Sequence, residues 1–379
     1  MSRKHNFSAG PAKLPEAVVA EVRDNLVDFD GTGLGAMEYS HRSARFEQVL
    51  ATAKARLHRL LGCDEDQEVL FLHGGAKSQF FNVPMNLLRG GRATYLDTGT
   101  WSDLAAKEGK RYGTIDIPWS SKDAGYNAVP EAGAWGELPD GTVYLHYTSN
   151  NTVAGTQYHY VPDSGDALLV CDMSSDILSR PIDGSAFDLI YAGAQKNLGP
   201  SGLAVVILRR SLLDRCDPDL PLMLSYKTHV AKNSMYNTPN TWAIYVLERV
   251  TAWVEEQGLD VVGERNRSQA ERLYAAIDAT DFWKGRAVTA SRSWMNPTFS
   301  TGKPALDTEF WQWAAERGLI GLKGHRNLGG LRASLYNAQT DESVDALIEA
   351  MREFERMRDI RTCAGNVDGD LFYRRNGFA

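Results

Sequence analysis

The chain has 379 residues, 43% of them apolar, with a mean hydropathy of -0.35. This suffices for a sizeable core split between one large and one small domain, and excludes disorder as the default state. A formal charge of -7 excludes general affinity for nucleic acid or an acidic membrane, which needs a basic face, so any phosphate must be met by a local cluster.

The start, Met1 to Phe7, carries two cations but no apolar stretch before Gly10-Pro11, unlike a secretory signal. No apolar run reaches bilayer length. The four cysteines are scattered, without Cys-x-x-Cys or zinc spacing, so a reduced, cytosolic setting with no metal is expected.

In chain order, Phe46, Val49, Leu50, Ala53, Leu57, Leu60 and Leu61 recur at helical spacing and predict one amphipathic helix. Strand-length apolar runs follow at Val69–Leu72, Ala93–Asp97, Val143–Tyr147, Ala167–Val170, Leu189–Ala192 and Ala204–Leu208, alternating with helical patterns. That order predicts an α/β fold with a mainly parallel sheet. Trp242, Tyr245, Val246, Val250, Trp253 and Val254 form a second stripe, which reads as core. After Gly258 the pattern predicts a helix over Val261–Ile277, strands around Val288 and over Met295–Phe299, a helix near Phe310, a strand over Leu331–Leu335 and a last helix over Val344–Phe354. We therefore expect a large domain over 15–257, a smaller α+β domain over 258–357 with segment 1–14 packing near the site, and an extension over 358–379 that the sequence leaves without a role.

The most informative segment is Tyr191-Ala192-Gly193-Ala194-Gln195-Lys196-Asn197-Leu198-Gly199-Pro200-Ser201-Gly202. It sets one lysine past a buried strand in a glycine-rich turn. A lysine so placed can be desolvated, which lowers its pKa and favours the free amine that Schiff-base chemistry needs. Alone, a loop lysine is ordinarily solvated. Asp172 ends an upstream strand, where it could pair with a pyridinium nitrogen or cap a helix. His73-Gly74-Gly75-Ala76-Lys77 runs from a strand into a helical pattern whose free N–H groups suit a phosphate. There is no GxGxxG, hence no dinucleotide fold. Trp101, after the next strand, could stack on a planar ring or simply pack in the core.

Together these segments resemble the fold-type-I pyridoxal-phosphate enzymes, and among them the phosphoserine aminotransferase family. The resemblance runs from Asn6-Phe7-Ser8-Ala9-Gly10-Pro11 to about Met357. Its most specific pieces are Met37-Glu38-Tyr39-Ser40-His41-Arg42, Leu178-Ser179-Arg180-Pro181-Ile182-Asp183, Gln195-Lys196-Asn197, Asn237-Thr238-Pro239 and Lys323-Gly324-His325-Arg326. It implies a large domain with a mainly parallel seven-stranded sheet, a smaller α+β domain, and pyridoxal 5'-phosphate as cofactor. It further implies Lys196 as the Schiff-base lysine and proton shuttle, Asp172 as partner of the ring nitrogen, and Trp101 as the stacking ring. Thr152 and Gln195 would hydrogen-bond the cofactor, and Ala76 and Lys77 would hold its phosphate. Asn237 and Thr238 would reach that phosphate from the neighbouring subunit of a homodimer. Arg332 would take the substrate carboxylate, and Ala9 would lie at the substrate. His41 and Arg42 from one subunit, with His325 and Arg326 from the other, would take the substrate phosphate.

The implied reaction moves the amino group of L-glutamate to 3-phosphohydroxypyruvate in two stages, in serine biosynthesis. It extends to a phosphorylated four-carbon keto acid in pyridoxine biosynthesis. Position 77 is Lys where bacterial members often have Arg, and position 9 is Ala where some have Ser. Backbone contacts would tolerate both. Rival readings are an alanine–glyoxylate or serine–glyoxylate aminotransferase, which lacks a second phosphate site, a cysteine desulfurase, which needs a mobile nucleophilic cysteine, and a silent scaffold.

Overall fold

A computed structural model of the chain describes residues 3–373, with side chains as far as Arg358. Cys363 and Arg374-Arg375, noted in the sequence, lie outside the described side chains.

Seven strands form the main sheet: β1 (Gln67–His73), β2 (Arg92–Asp97), β3 (Thr114–Ser120), β4 (Thr142–Thr148), β5 (Leu168–Asp172), β6 (Leu189–Gly193) and β7 (Leu203–Arg209). Their order is β1-β7-β6-β5-β4-β2-β3. Only β7 runs against the others, pairing antiparallel with both β1 and β6. The tight turn between β6 and β7 explains this, because a parallel return needs a crossover of a dozen residues or more. All six remaining strands therefore end on one edge.

The apolar runs located six of these strands. The seventh, β3, was not read from them, because it is an edge strand without a buried face and with Pro118 in its middle. Central strands such as β6 and β7, buried on both faces, read as unbroken apolar runs.

The helices are α1 (Glu16–Val27), α2 (Ala44–Leu60), α3 (Ala76–Leu87), α4 (Thr100–Gly109), α5 (Thr241–Gln257), α6 (Leu259–Asp278), α7 (Pro304–Glu316) and α8 (Asp341–Tyr373), with a short helix at Tyr226–Ala231. Ser43 starts α2 by accepting from the Phe46 amide, and Asn240 starts α5 by accepting from that of Ala243. Both aromatic and aliphatic stripes face inward, α2 and α5 packing together through Leu50, Ala53, Leu57, Ile244 and Leu247 on one face of the sheet. On the other face Phe80, Val83 and Leu87 of α3 pack with Tyr95, Tyr144 and Tyr191 of the strands.

A separate core joins α6, α7 and α8 through Leu273, Ile277, Phe310, Leu347 and Phe354, and takes in Phe7 from the start of the chain. Here the expected strands are shorter and partly displaced. The strand expected around Val288 lies at Lys284–Gly285, and Val288 precedes a 3-10 turn with its amide on Asn127. Pairing with Thr298–Ser300, rather than intrinsic propensity, makes Lys284–Gly285 a strand. The Leu331–Leu335 run is a strand only at Leu331–Arg332. The last helix continues past Phe354 to Tyr373. No helix of the described residues is long and apolar enough to cross a membrane.

Candidate active site

The common edge of the sheet delivers five separate segments to one place. Ala76 and Lys77 follow β1, Trp101 follows β2, Thr152 follows β4, Asp172 ends β5, and Gln195-Lys196 follow β6. Ligand sites of open α/β sheets lie at this carboxyl edge. A cavity of about 240 Å³ there is lined by Ala76, Lys77, Trp101, Asp172, Gln195 and Lys196, with Phe80 and Ser174 completing the wall.

Lys196 is buried, and its Nζ donates to Thr152 Oγ1 at 2.6 Å. Burial pushes its ammonium down to about 8, against the opposing pull of Asp172 and with help from Arg332. A larger share of free amine is thereby available than an ordinary lysine offers.

Asp172 is also buried, and burial raises its carboxyl above the usual carboxylate range while Ser174 and Lys196 pull it back. Oδ1 accepts from the Ser174 amide at 2.9 Å and from Ser174 Oγ at 2.5 Å. The Gly193 amide of β6 in turn donates to Ser174 Oγ at 3.1 Å. Both serine bonds fall on Oδ1, which leaves Oδ2 without a hydrogen bond from the described residues. Sequence reading did not single out Ser174, although the Asp-x-Ser spacing is that of a side-chain-to-backbone turn.

The start of α3 is capped by no side chain, carries no acid in its first turn, and leaves the amides of Ala76 and Lys77 without acceptors among the described residues. Such a helix start favours an anion. Lys77 Nζ sits 5.3 Å from the Trp101 ring centre. Trp101 is held by α4, whose start is fixed by Ser102 Oγ accepting from the amides of Thr98 and Gly99. Gly99 is required by close approach, since a Cβ there would lie 2.3 Å from Asn151 Oδ1.

The small core adds Arg332, whose Nη1 donates to the Thr152 carbonyl at 3.0 Å. It has no acidic partner among the described residues. Arg332 and His325 line a second cavity of about 300 Å³, and burial with the two neighbouring arginines, Arg332 and Arg326, lowers the His325 imidazolium. The chain start closes the other side. The Ala12 amide donates to the Gln195 carbonyl at 2.9 Å, and Tyr336 donates to the Ala9 carbonyl at 2.8 Å.

Five expected residues are not brought into this assembly. His41 and Arg42 lie on the loop before α2, Asn237 and Thr238 on the loop before α5, and Arg326 on an exposed turn. None of them lines either cavity. A larger hollow of about 480 Å³, walled by Glu21, Arg56, Tyr245, Glu248 and Arg249, lies elsewhere, and its cations are paired with acids. Among the described cysteines, burial raises Cys63 and Cys216 to about 11 and also raises Cys171 well above the ordinary thiol value, the reverse of what a nucleophilic thiol needs.

A desolvated lysine, a buried carboxylate, an indole and an uncapped helix start fit pyridoxal phosphate. Comparison with known proteins agrees. The class-V aminotransferase family matches residues 4–347. The chain is 48% identical over 361 residues to the phosphoserine aminotransferase of Desulfatibacillum aliphaticivorans, covering 94% of this chain and 99% of that one. The solved phosphoserine aminotransferase of Bacillus circulans subsp. alkalophilus superposes with a TM-score of 0.91 at 46% identity, covering 94% of this chain and 99% of the other. That of Trichomonas vaginalis, known in a pyridoxal-phosphate-bound form, superposes with a TM-score of 0.87 at 36% identity, covering 92% and 100%. The chain belongs to the class-V aminotransferases, and within them to the phosphoserine aminotransferase family.

Proposed function

We propose that this chain is a pyridoxal-phosphate-dependent phosphoserine aminotransferase. It transfers the amino group of L-glutamate to 3-phosphohydroxypyruvate, giving O-phospho-L-serine and 2-oxoglutarate. The observation that carries the reading is a buried lysine with a depressed pKa, set between a buried carboxylate and an uncapped helix start. Identity of 48% over nearly the whole chain supports the substrate class.

When bound, pyridoxal phosphate supplies an electron-withdrawing ring that stabilises negative charge at the substrate α-carbon. The chain's own residues would do the rest. Ala76 and Lys77 would hold the phosphate through their amides, Trp101 would cover one face of the ring, and Asp172 Oδ2 would keep the ring nitrogen protonated. Thr152 and Gln195 would add polar contacts. Lys196 Nζ, more readily deprotonated than an ordinary lysine, would carry the proton from the α-carbon and return it. Arg332 would bind the α-carboxylate through its fork of N–H donors while its bond to the Thr152 carbonyl fixes the guanidinium beside the reacting carbon.

His41, Arg42, His325 and Arg326 would take the substrate phosphate, and Asn237 and Thr238 the cofactor phosphate, in a cytoplasmic homodimer whose two sites each draw on both chains. The exposure of Arg42, Asn237 and Thr238, none of which lines the chain's own cavity, supports this assembly. Ala9 would border the substrate from the strap that closes the site. Segments 15–257 and 258–357 would form its two domains. The same anion site would accept 3-hydroxy-2-oxo-4-phosphooxybutanoate, a step toward pyridoxine.

Steady-state kinetics test the substrate class. With glutamate as donor, kcat/KM for 3-phosphohydroxypyruvate should exceed that for glyoxylate or pyruvate by a factor of about 100 or more, the contribution of a doubly charged group met by paired arginines. Equal efficiency would leave an aminotransferase without the phosphate specificity.

A further inference from the structure

The loop over 232–240 joins the short helix Tyr226–Ala231 to α5, and it is pinned by three of its side chains and by one backbone carbonyl. Lys54 Nζ donates to Asn233 Oδ1 at 2.6 Å, and the Phe71 amide of β1 donates to Ser234 Oγ at 3.0 Å. Asn240 accepts from the Ala243 amide at 3.1 Å. Between these anchors, His73 Nε2 bonds the carbonyl of Thr238 at 2.9 Å. Asn233 and Ser234 stand at φ of 48° and 63°, a left-handed pair that non-glycine residues hold only where their surroundings fix it.

Two side chains on this pinned loop remain unspent. Asn237 and Thr238 are exposed, and neither side chain has a hydrogen-bond partner among the described residues. The fold thus fixes the backbone and presents two polar groups outward.

His73 occupies a particular place in this arrangement. It ends β1, and Gly74-Gly75 then lead directly to the free amides of Ala76 and Lys77. The residue that holds the outward loop is therefore three positions from the helix start that suits a phosphate. Because the acceptor is a carbonyl, Nε2 must carry the hydrogen, and the ring can donate whether neutral or charged.

We propose that His73 is a positioning residue for Asn237 and Thr238, and that it couples the phosphate cup of one chain to the loop serving the cofactor phosphate of a second copy. The inference rests on the reading that this pair reaches the neighbouring site. A phosphate bound at Ala76 and Lys77 stiffens the end of β1. His73 passes that order to the loop, so a second cofactor meets a site already arranged.

The test uses the full-length protein resolved from its cofactor and titrated with pyridoxal phosphate, with binding read by tryptophan fluorescence. The wild type should load its two sites with positive cooperativity. His73→Ala should lose that cooperativity and weaken binding about fivefold, the range of one exposed hydrogen bond. His73→Gln, whose amide also donates, should restore both. Melting of the unloaded protein should be unchanged in either variant, because His73 is exposed. Wild-type affinity and cooperativity in His73→Ala would overturn the proposal. So would a loss that Gln does not restore and that accompanies a lower melting temperature. Asn237→Ala separates the two levels. Weaker binding there, with His73→Ala unaffected, removes the coupling alone, whereas no effect of Asn237→Ala removes the shared-site reading and this inference together.

Discussion

The cavity around Lys196 and the cationic turns at His41-Arg42 and His325-Arg326 differ in almost every physical respect. The first is made by strand ends of a single chain. Lys196 and Asp172 are buried, each hydrogen-bonded, each with its protonation shifted by that burial. The second is made of turns: Arg42 and Arg326 are exposed and without acidic partners among the described residues. The difference follows from what each must do. A free amine and an orienting carboxylate need low dielectric and fixed geometry, which a sheet edge provides. On the proposed reading, the Arg42 and Arg326 guanidinium groups stay hydrated until the substrate phosphate arrives, whereas Arg332 is held half-buried against the Thr152 carbonyl. On that reading, chemistry is built into the fold, and specificity is left on surfaces that a second chain would complete.

The largest effect should come from the buried region. Lys196→Ala should lower kcat by about 10³-fold or more for every substrate, since it removes the amine proposed both to capture the cofactor and to carry the proton. The same residue sets a pH dependence. Burial favours the neutral amine, so the folded pKa lies below the ordinary lysine value, and the free-amine fraction rises as pH rises through about 8. Capture of pyridoxal phosphate by the unloaded protein, followed by the growth of its visible band, should speed up about tenfold per pH unit below 8 and level off above it. A rise continuing past pH 10 would mean a solvated lysine and would remove the contrast between the regions.

Arg332→Ala should cost about 10² to 10³ in kcat/KM for glutamate and phosphoserine alike, because the carboxylate it is proposed to meet is common to both. Arg42→Ala and Arg326→Ala sharpen the comparison most. Each should cost about 10- to 100-fold for 3-phosphohydroxypyruvate and little for an unphosphorylated keto acid. Equal losses for both would show that the turns support the fold rather than the selectivity. Ser174→Ala should weaken cofactor binding only about three- to tenfold, by removing the hydroxyl bond to Asp172 Oδ1 while the backbone amide bond stays, and Ser174→Thr should recover most of it.

Much of this was legible in the sequence wherever burial leaves a pattern. Six strands of the main sheet, the helical stripes and the strand-end positions of Asp172 and Lys196 could all be read from apolar runs and their punctuation. The exposed edge strand Thr114–Ser120 has no such run, and Lys284–Gly285 becomes a strand only through its partner. The contact of Tyr336 with the Ala9 carbonyl joins residues 327 positions apart, beyond any local signal. Ser174 was within reach through its spacing from Asp172, but a serine two residues past an aspartate is common in turns that hold no ligand.

Visible absorbance of the purified protein tests the central claim most directly, recorded before glutamate, after it, and again after 3-phosphohydroxypyruvate. The account predicts a yellow band that glutamate bleaches and the phosphorylated keto acid restores. No band, even after pyridoxal phosphate is supplied, or a bleached band that only unphosphorylated keto acids restore, would contradict it.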